Sequence, residues 1–436
     1  MRHPALSRDS THQRPPPGGR SSDRPARRLT TTPQPVGTKA RRLQRRILLR
    51  DHSIKGAYRI FDQFLARPLM SVLRIVPLIM RVGGKARHDC GVPIRRQILD
   101  MLRLVLVHGA QPRVYYLTER YREGAMRDAG ALVMRNETKH GLFKALNRID
   151  TQARDRALSL SDKLEVARWC AEAGIPHPQP ILIIERGEVA WRGGPLNDLD
   201  RDLFVKRRRS RGARGVAAYR HTHVFQYLDD SSRSITLAHI LIDLVRRSRS
   251  EQLIAQPLLH NHPAIADLSH DTLIVFRLLT CLNETLHPVL TNGYLRSIAK
   301  LEPRWHVGPI QEFLAPIDLE TGALGQITGD KPECLSEWVD RHPVTGAMVT
   351  GRIVPHWPEL KQLAIKAHTL VPERVLIGWD MAVTAEGPVL LEGNSFADVL
   401  GPQRVYRTPL GHMRVGELLD FHLDRLAARL DSMKRD

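Results

Sequence analysis

Two apolar runs near the C-terminal end restrict this chain most. They are Ile377-Gly378-Trp379-Asp380-Met381-Ala382-Val383-Thr384 and Pro388-Val389-Leu390-Leu391-Glu392-Gly393-Asn394, joined by Ala385-Glu386-Gly387. Runs of this length and composition around a Gly-containing linker read as a hairpin, with a three-residue loop and Gly387 in the left-handed position. With Thr384 facing Pro388, Asp380 stands opposite Glu392, and Asn394 follows on the same face. Opposed side chains on paired strands lie about 5 Å apart, so two carboxylates there repel. Either the pair sits at a solvated sheet edge, or a cation lies between them. The apolar neighbours favour burial and hence the cation. An Asp, a Glu and an Asn amide oxygen are hard ligands suited to Mg²⁺ shared with phosphate oxygens.

Three further segments carry isolated polar groups on apolar strands. Leu203-Phe204-Val205-Lys206 runs into Arg207-Arg208-Arg209 and then Ser210-Arg211-Gly212-Ala213-Arg214-Gly215. A lysine at a strand end, followed by a loop whose glycines let backbone N–H groups approach a ligand, is a phosphate-binding arrangement. The P-loop spacing is absent, and a solvated basic loop is the alternative. Leu253-Ile254-Ala255-Gln256-Pro257-Leu258 presents one amide at a strand end, either to an adenine edge or to solvent. Arg277 interrupts the apolar Thr272–Leu282 run and requires an anionic partner, a phosphate or a structural carboxylate.

The formal net charge of +20 is unevenly distributed. Residues 1–50 hold 13 basic and 2 acidic residues, residues 51–150 hold 18 and 9, and the remainder holds 35 of each. The excess therefore lies in the first third, and the body that follows is neutral. Residues 1–45, rich in Arg, Pro, Ser and Thr, read as a disordered basic tail. Residues 46–150 read as helical. Leu48, Ile54, Tyr58, Ile60, Phe61, Phe64 and Leu65 recur near helical spacing with Arg and Lys between them. Such a face either packs on the body or lies on an anionic membrane; Pro68 and Pro77 favour packing. The 4 scattered cysteines form no Cys-x-x-Cys pair and fit a reducing compartment. No apolar segment opens the chain as a signal peptide would, and the expected location is cytoplasmic, with the inner membrane face as a peripheral option. A helix starts at Ser161 or Asp162 and ends at Gly174.

Taken in order, these pieces resemble the ATP-grasp superfamily, and more narrowly its sugar-transfer-associated, polysaccharide-linked members. The resemblance covers roughly residues 140–425. Its carriers are Asp162-Lys163, Gly174-Ile175-Pro176, Leu203–Lys206 with Gly212 and Gly215, Gln256-Pro257-Leu258, Phe276–Thr280, Ala315–Gly322, His342–Gly346, Val354–Glu359 and the 378–394 hairpin. It implies an α+β fold in which two lobes, residues 151–255 and 256–436, clamp ATP behind the helical N-terminal region. Lys163 and Lys206 would contact the phosphates, under a loop containing Ser210, Gly212 and Gly215. Gln256 and the backbone near Leu258 would form the adenine hinge. Asp380, Glu392 and Asn394 would hold one or two Mg²⁺ ions, and Arg277 would stabilise the transferring phosphoryl group. The implied activity is an ADP-forming ligase. It would activate a carboxylate as an acylphosphate for an amine or hydroxyl, with a glycan precursor as one candidate acceptor. His260, Asn261 and His262 stand where an acidic ribose contact is usual, and the phosphate loop is unusually Arg-rich. His262, His342 and His356 are excluded from the catalytic set.

Two other classes remain. A phosphotransferase would move the γ-phosphoryl group to a sugar or lipid-linked hydroxyl. A non-enzymatic protein would bind nucleic acid or anionic membrane through the basic first third; aromatics at 5% make nucleic acid the poorer partner.

Overall fold

The computed structural model describes residues 34–134, 142–147, 159–195, 199–209, 216–270, 272–298 and 312–432. Two sheets organise residues 35–436. The first has seven strands: β1 (Leu182–Glu185), β2 (Glu188–Arg192), β3 (Leu203–Arg207), β4 (Ala217–His223), β5 (Gln226–Leu228), β6 (Ser234–Thr236) and β7 (Leu253–Pro257). They are ordered β2-β1-β7-β3-β4-β5-β6. Leu203, Val205, Leu253 and Ala255 bury one face of this sheet against Leu237, Ile240 and Leu244 of the helix Leu237–Arg247. Period-two alternation turns Phe204, Lys206, Ile254 and Gln256 to the other face.

The second sheet contains β8 (Val275–Leu282), β9 (Pro288–Ile298), β10 (Glu312–Pro316), β11 (Thr328–Gly329), β12 (Leu376–Thr384) and β13 (Gly387–Asn394), ordered β11-β10-β9-β8-β12-β13. Ile377, Trp379, Met381 and Val383 share a core with Trp357, Leu360, Leu363 and Ala364 of the helix Trp357–Thr369. Leu376 and Cys281 bury elsewhere, against Leu418, Leu419 and Leu423 of the C-terminal helix Arg414–Ser432. Trp379 is fully enclosed; its indole N–H donates to Thr280 Oγ1 at 2.8 Å, and His368 Nδ1 lies 2.7 Å from the same hydroxyl.

The apolar runs at 203–206, 253–258 and 272–282 and the two runs of the 377–394 hairpin all form strands, with ends displaced by a few residues. The expected tail is shorter than residues 1–45. Val36–Leu49 is a helix whose Val36, Ala40 and Leu43 pack with the C-terminal helix, while Lys39 reaches Asp420 at 2.8 Å and Asp424 at 2.6 Å. Those apolar residues recur at intervals of four and three, which the high Arg content obscures. The rest of that tail lies outside the described residues. The 46–150 region is helical where described, but its expected packing is only partly realised. Leu48 is buried, whereas Ile54, Tyr58, Phe61 and Leu65 are exposed.

The hairpin also closes differently from expectation. Thr384 pairs with Gly387 across Ala385 and Glu386, not with Pro388, and Gly387 has φ +121°. A register shift between Asp380 and Met381 then restores the Asp380–Glu392 pairing. The extra residue, Leu391, forms a bulge that re-aims the strand end.

Candidate functional site

The site begins at the open end of the second sheet. Asp380 on β12 pairs with Glu392 on β13 on one side and Arg277 on β8 on the other. Asn394 Nδ2 lies 3.5 Å from Asp380 Oδ2 and 3.4 Å from Glu392 Oε1. The three expected metal ligands are therefore together. Among the described residues no three His, Cys, Asp or Glu side chains gather to hold a metal ion. Two carboxylates and one amide suit an ion that takes its remaining ligands from phosphate and water. The amide orientation is chosen by its carboxylate neighbours, and a half-turn of the amide presents its oxygen to a cation instead.

Arg277 has found its anion in Asp380. The guanidinium grips the carboxylate with both Nε and Nη2, the latter at 2.9 Å from Oδ2, and both side chains are buried. Arg296 on β9 approaches Asp380 Oδ1 at 3.7 Å and holds Glu312 on β10 at 2.7 Å. These charges divide the two opposed carboxyls. Burial alone would raise Asp380, but the Arg277 and Arg296 guanidinium groups hold it below the ordinary range. Glu392 is pushed up by burial and by Asp380, with Lys163 and Arg277 opposing only in part. A divalent cation beside Glu392 would relieve the repulsion between the two carboxyls. By this test the residues present fit Mg²⁺.

Lys206 on the other sheet and Lys163 at the start of a helix lie close enough to Glu392 to feel its charge. Lys206 is on the β3 face opposite the helix-covered core and is buried. Burial and the neighbouring Lys163 ammonium lower it to about 8, while Glu392 acts in the opposite sense. Lys163 is lowered by burial against the raising influence of Glu392 and Asp162. Two depressed ammonium groups close to one carboxyl form a cationic surface for an anion with several charges.

Lys163 opens the helix Lys163–Glu172, whose N-cap is Asp162; Asp162 Oδ1 accepts from the Leu164 N–H at 3.2 Å. The same buried carboxylate takes Arg208 Nε at 2.9 Å and Arg209 Nη2 at 2.9 Å. It lies at about 2: burial raises it, and these guanidinium and backbone donors more than reverse that. Arg207 pairs with Glu251. The positive run after Lys206 is thus tied down at its root by Glu251 and Asp162. Ser210, Gly212 and Gly215 lie outside the described residues.

Gln256 is buried on the Lys206 face. The Leu258 N–H donates to the Asp202 carbonyl at 2.9 Å, continuing the β3–β7 ladder. Asn261, in the expected ribose region, bridges Thr272 and Ile274 backbone groups. His342 is buried and accepts from the Val344 and Thr345 N–H groups, while His262 and His356 meet edge-on at 5.5 Å.

The sequence reading missed Arg296, Glu312 and His177. Arg296 gives the same signal as Arg277, a charge inside an otherwise buried strand. His177 Nδ1 lies 2.8 Å from the Leu390 carbonyl, and the Leu390 N–H donates to the Pro176 carbonyl at 2.9 Å. This clip fastens the 176–177 linker to β13. Burial and Lys206 hold His177 down at about 4, so it is neutral there.

A sheet that carries Lys206, a helix that opens on Lys163 and a second sheet that carries the carboxylate hairpin agree with an ATP-grasp fold. A model of the sugar-transfer associated ATP-grasp family matches residues 147–416. The chain belongs to this family. No curated protein matches it. Similar solved structures include D-alanyl-alanine synthetase A from Vibrio cholerae, with 13% identity, a TM-score of 0.34, and coverage of 61% of this chain and 65% of that one. An ATP complex of D-alanine–D-alanine ligase from Bacillus anthracis has 9% identity, a TM-score of 0.31, and coverage of 64% and 67%. Biotin carboxylase from Campylobacter jejuni has 12% identity, a TM-score of 0.35, and coverage of 60% and 46%.

Proposed function

We propose that this chain is a Mg²⁺- and ATP-dependent ligase. It activates a carboxylate as an acylphosphate, releases ADP, and passes the acyl group to an amine or hydroxyl with loss of phosphate. The observation that carries the reading is the convergence of Lys163 and Lys206, both with lowered pKa, on the Asp380–Glu392–Asn394 hairpin. The family name suggests a polysaccharide precursor as the acceptor class.

In this reading Lys163 and Lys206 bind ATP phosphates, and Asp162 positions Lys163 through the helix cap. The 210–215 loop covers the phosphates, and Gln256 meets the adenine edge between lobes 151–255 and 256–436. Asp380, Glu392 and Asn394 would hold Mg²⁺, which supplies charge neutralisation to the transferring phosphoryl group. Arg277 orients Asp380 through its two-pronged contact, and its remaining N–H groups are available to phosphoryl oxygens. Catalysis here needs positioning and charge more than a protein nucleophile.

The test is thermal stabilisation by Mg·ATP in the wild type, Lys206→Met and Glu392→Gln, followed by product analysis with candidate acids and amines. Stabilisation confined to the wild type, with ADP and phosphate released, is expected. Equal stabilisation of all three refutes the site, and AMP with pyrophosphate refutes the acylphosphate step. A stable phosphorylated acceptor would identify a phosphotransferase.

A further inference from the structure

Residues 54–90 form a nearly continuous helical rod. It comprises Ile54–Phe61, the π-turn Asp62–Ala66, Arg67–Leu73, Ile75–Leu78, the π-turn Ile79–Gly83 and Gly84–Cys90. One face is conventional: Ile75, Leu78, Val82 and Ala86 are buried with Met101 and Leu104 of the helix Ile94–His108. A second face is also apolar. Ile54, Tyr58, Phe61, Leu65, Leu69 and Leu73 follow one another at intervals of three or four, the row continues to Met80, and each is more than half exposed. Helical spacing places them in one stripe. Over residues 54–80 it runs for about 40 Å at the helical rise. Isolated exposed apolar residues are ordinary, but a contiguous row of this extent marks an interaction surface.

The charges around the stripe select its occupant. Lys55, Arg59, Arg74 and Arg81 each follow a stripe residue directly in sequence, so they stand about 100° around the helix along one border. Between residues 54 and 88 the chain has Lys55, Arg59, Arg67, Arg74, Arg81, Lys85 and Arg87 against one acid, Asp62. Asp62 takes Arg67, and from outside the segment Asp51 takes Arg59 at 3.2 Å, Glu333 takes Arg81 and Glu337 takes Lys85 at 2.6 Å, so the cationic character of the border rests on Lys55 and Arg74. An apolar row bordered by long cationic side chains matches a bilayer surface: the row enters the acyl boundary and the cations reach lipid phosphates. A second copy of the chain would bring the same cations to the same border, where they repel. No described helix is long and apolar enough to cross a membrane. The rod therefore lies along a surface and does not span it.

We propose that the exposed face of residues 54–80 docks the protein on an anionic phospholipid bilayer. The proposal is independent of the nucleotide site. Lipid contact removes the row from water without unpacking Ile75, Leu78 or Val82, because the two faces are separate. The lipid phosphate is the required anion, so neutral headgroups at equal apolar content bind less.

The test is co-sedimentation of the full chain with vesicles of phosphatidylcholine alone and of phosphatidylcholine mixed with phosphatidylglycerol, alongside light scattering. Binding to the mixed vesicles that falls with added salt is expected. Leu65→Ser/Leu69→Ser/Leu73→Ser should lose more than about tenfold in partitioning with Tm unchanged, because these side chains are already exposed. Lys55→Ala/Arg74→Ala should lose roughly twentyfold at low salt, about fivefold per cation. Tyr58→Trp supplies a second readout, a blue-shifted emission on mixed vesicles only. Wild-type failure to bind overturns the proposal. Binding that survives the triple serine variant overturns it in favour of another basic segment. An oligomer that the triple variant converts to monomer, with no vesicle effect, overturns it in favour of self-association.

Discussion

Replacing Arg277 by Met removes a guanidinium but keeps most of its apolar stem. Asp380 is then left buried, with Arg296 Nη1 at 3.7 Å as its nearest described cation and Glu392 still opposite. Breaking a buried pair costs about 3–5 kcal/mol, because the surviving charge loses its compensation. Arg296 offsets part of this, so the lower end applies. Unfolding entropy scales with chain length, so 3–5 kcal/mol corresponds to a fall in Tm of about 4–6 °C for a unit of this size. The assay is a thermal melt of the wild type, Arg277→Met and Arg277→Met/Asp380→Leu, each with and without Mg·ATP. The double variant should recover most of the loss, since both charges are gone. If Asp380 is a metal ligand, Mg·ATP should raise the Tm of Arg277→Met by more degrees than that of the wild type, because the cation replaces the lost guanidinium. A fall of less than about 1 °C would refute the reasoning, since it would mean that Asp380 is solvated and not held between two arginines.

Three other outcomes are expected. Asp162→Ala removes a helix cap and the partner of Arg208 and Arg209; the cap alone is worth about 1 kcal/mol, so a melt should show a lower Tm. A Tm equal to wild type would show that the cap and its arginines are dispensable. Asp330, raised to about 6 by burial and by Glu312, binds a proton in the folded state that the unfolded chain releases near pH 4. Stability from this group therefore falls as pH rises from about 4 to 6, and Asp330→Asn should flatten that slope and stabilise the protein at neutral pH. An unchanged slope in pH-resolved urea unfolding would contradict it. Lys206, lowered to about 8, should take up a proton when a polyphosphate binds just above that pH. Calorimetry in two buffers of different ionisation enthalpy reads that uptake, and Lys206→Met should abolish it.

Much of the site was legible because strand alternation is local. Asp380 and Glu392 share a face once two apolar runs are joined by a short Gly-containing loop. Even so, the agreement has an unexpected route: the loop closes one residue tighter and the Leu391 bulge compensates. Asp162 was legible as a cap because capping depends on a few adjacent residues. Its hold on Arg208 and Arg209 was not, since they lie 46 and 47 positions further along the chain. Arg277 showed in the sequence that it needed an anion, and only strand pairing selected Asp380 over a phosphate.

The sequence by itself determined several of the strands, the hairpin, the concentration of charge in the first third and the helical spacing of apolar residues from Leu48 to Leu65, because each is set by residue type and spacing within a few turns or pleats. Only the tertiary structure decided which charges meet and which apolar faces remain exposed. The Arg277–Asp380–Arg296–Glu312 chain joins strands separated by long stretches of sequence. The row from Ile54 to Met80 is exposed because the rod spends its other face on the helix Ile94–His108. Both outcomes depend on burial, which is a property of the packed molecule and not of any one segment.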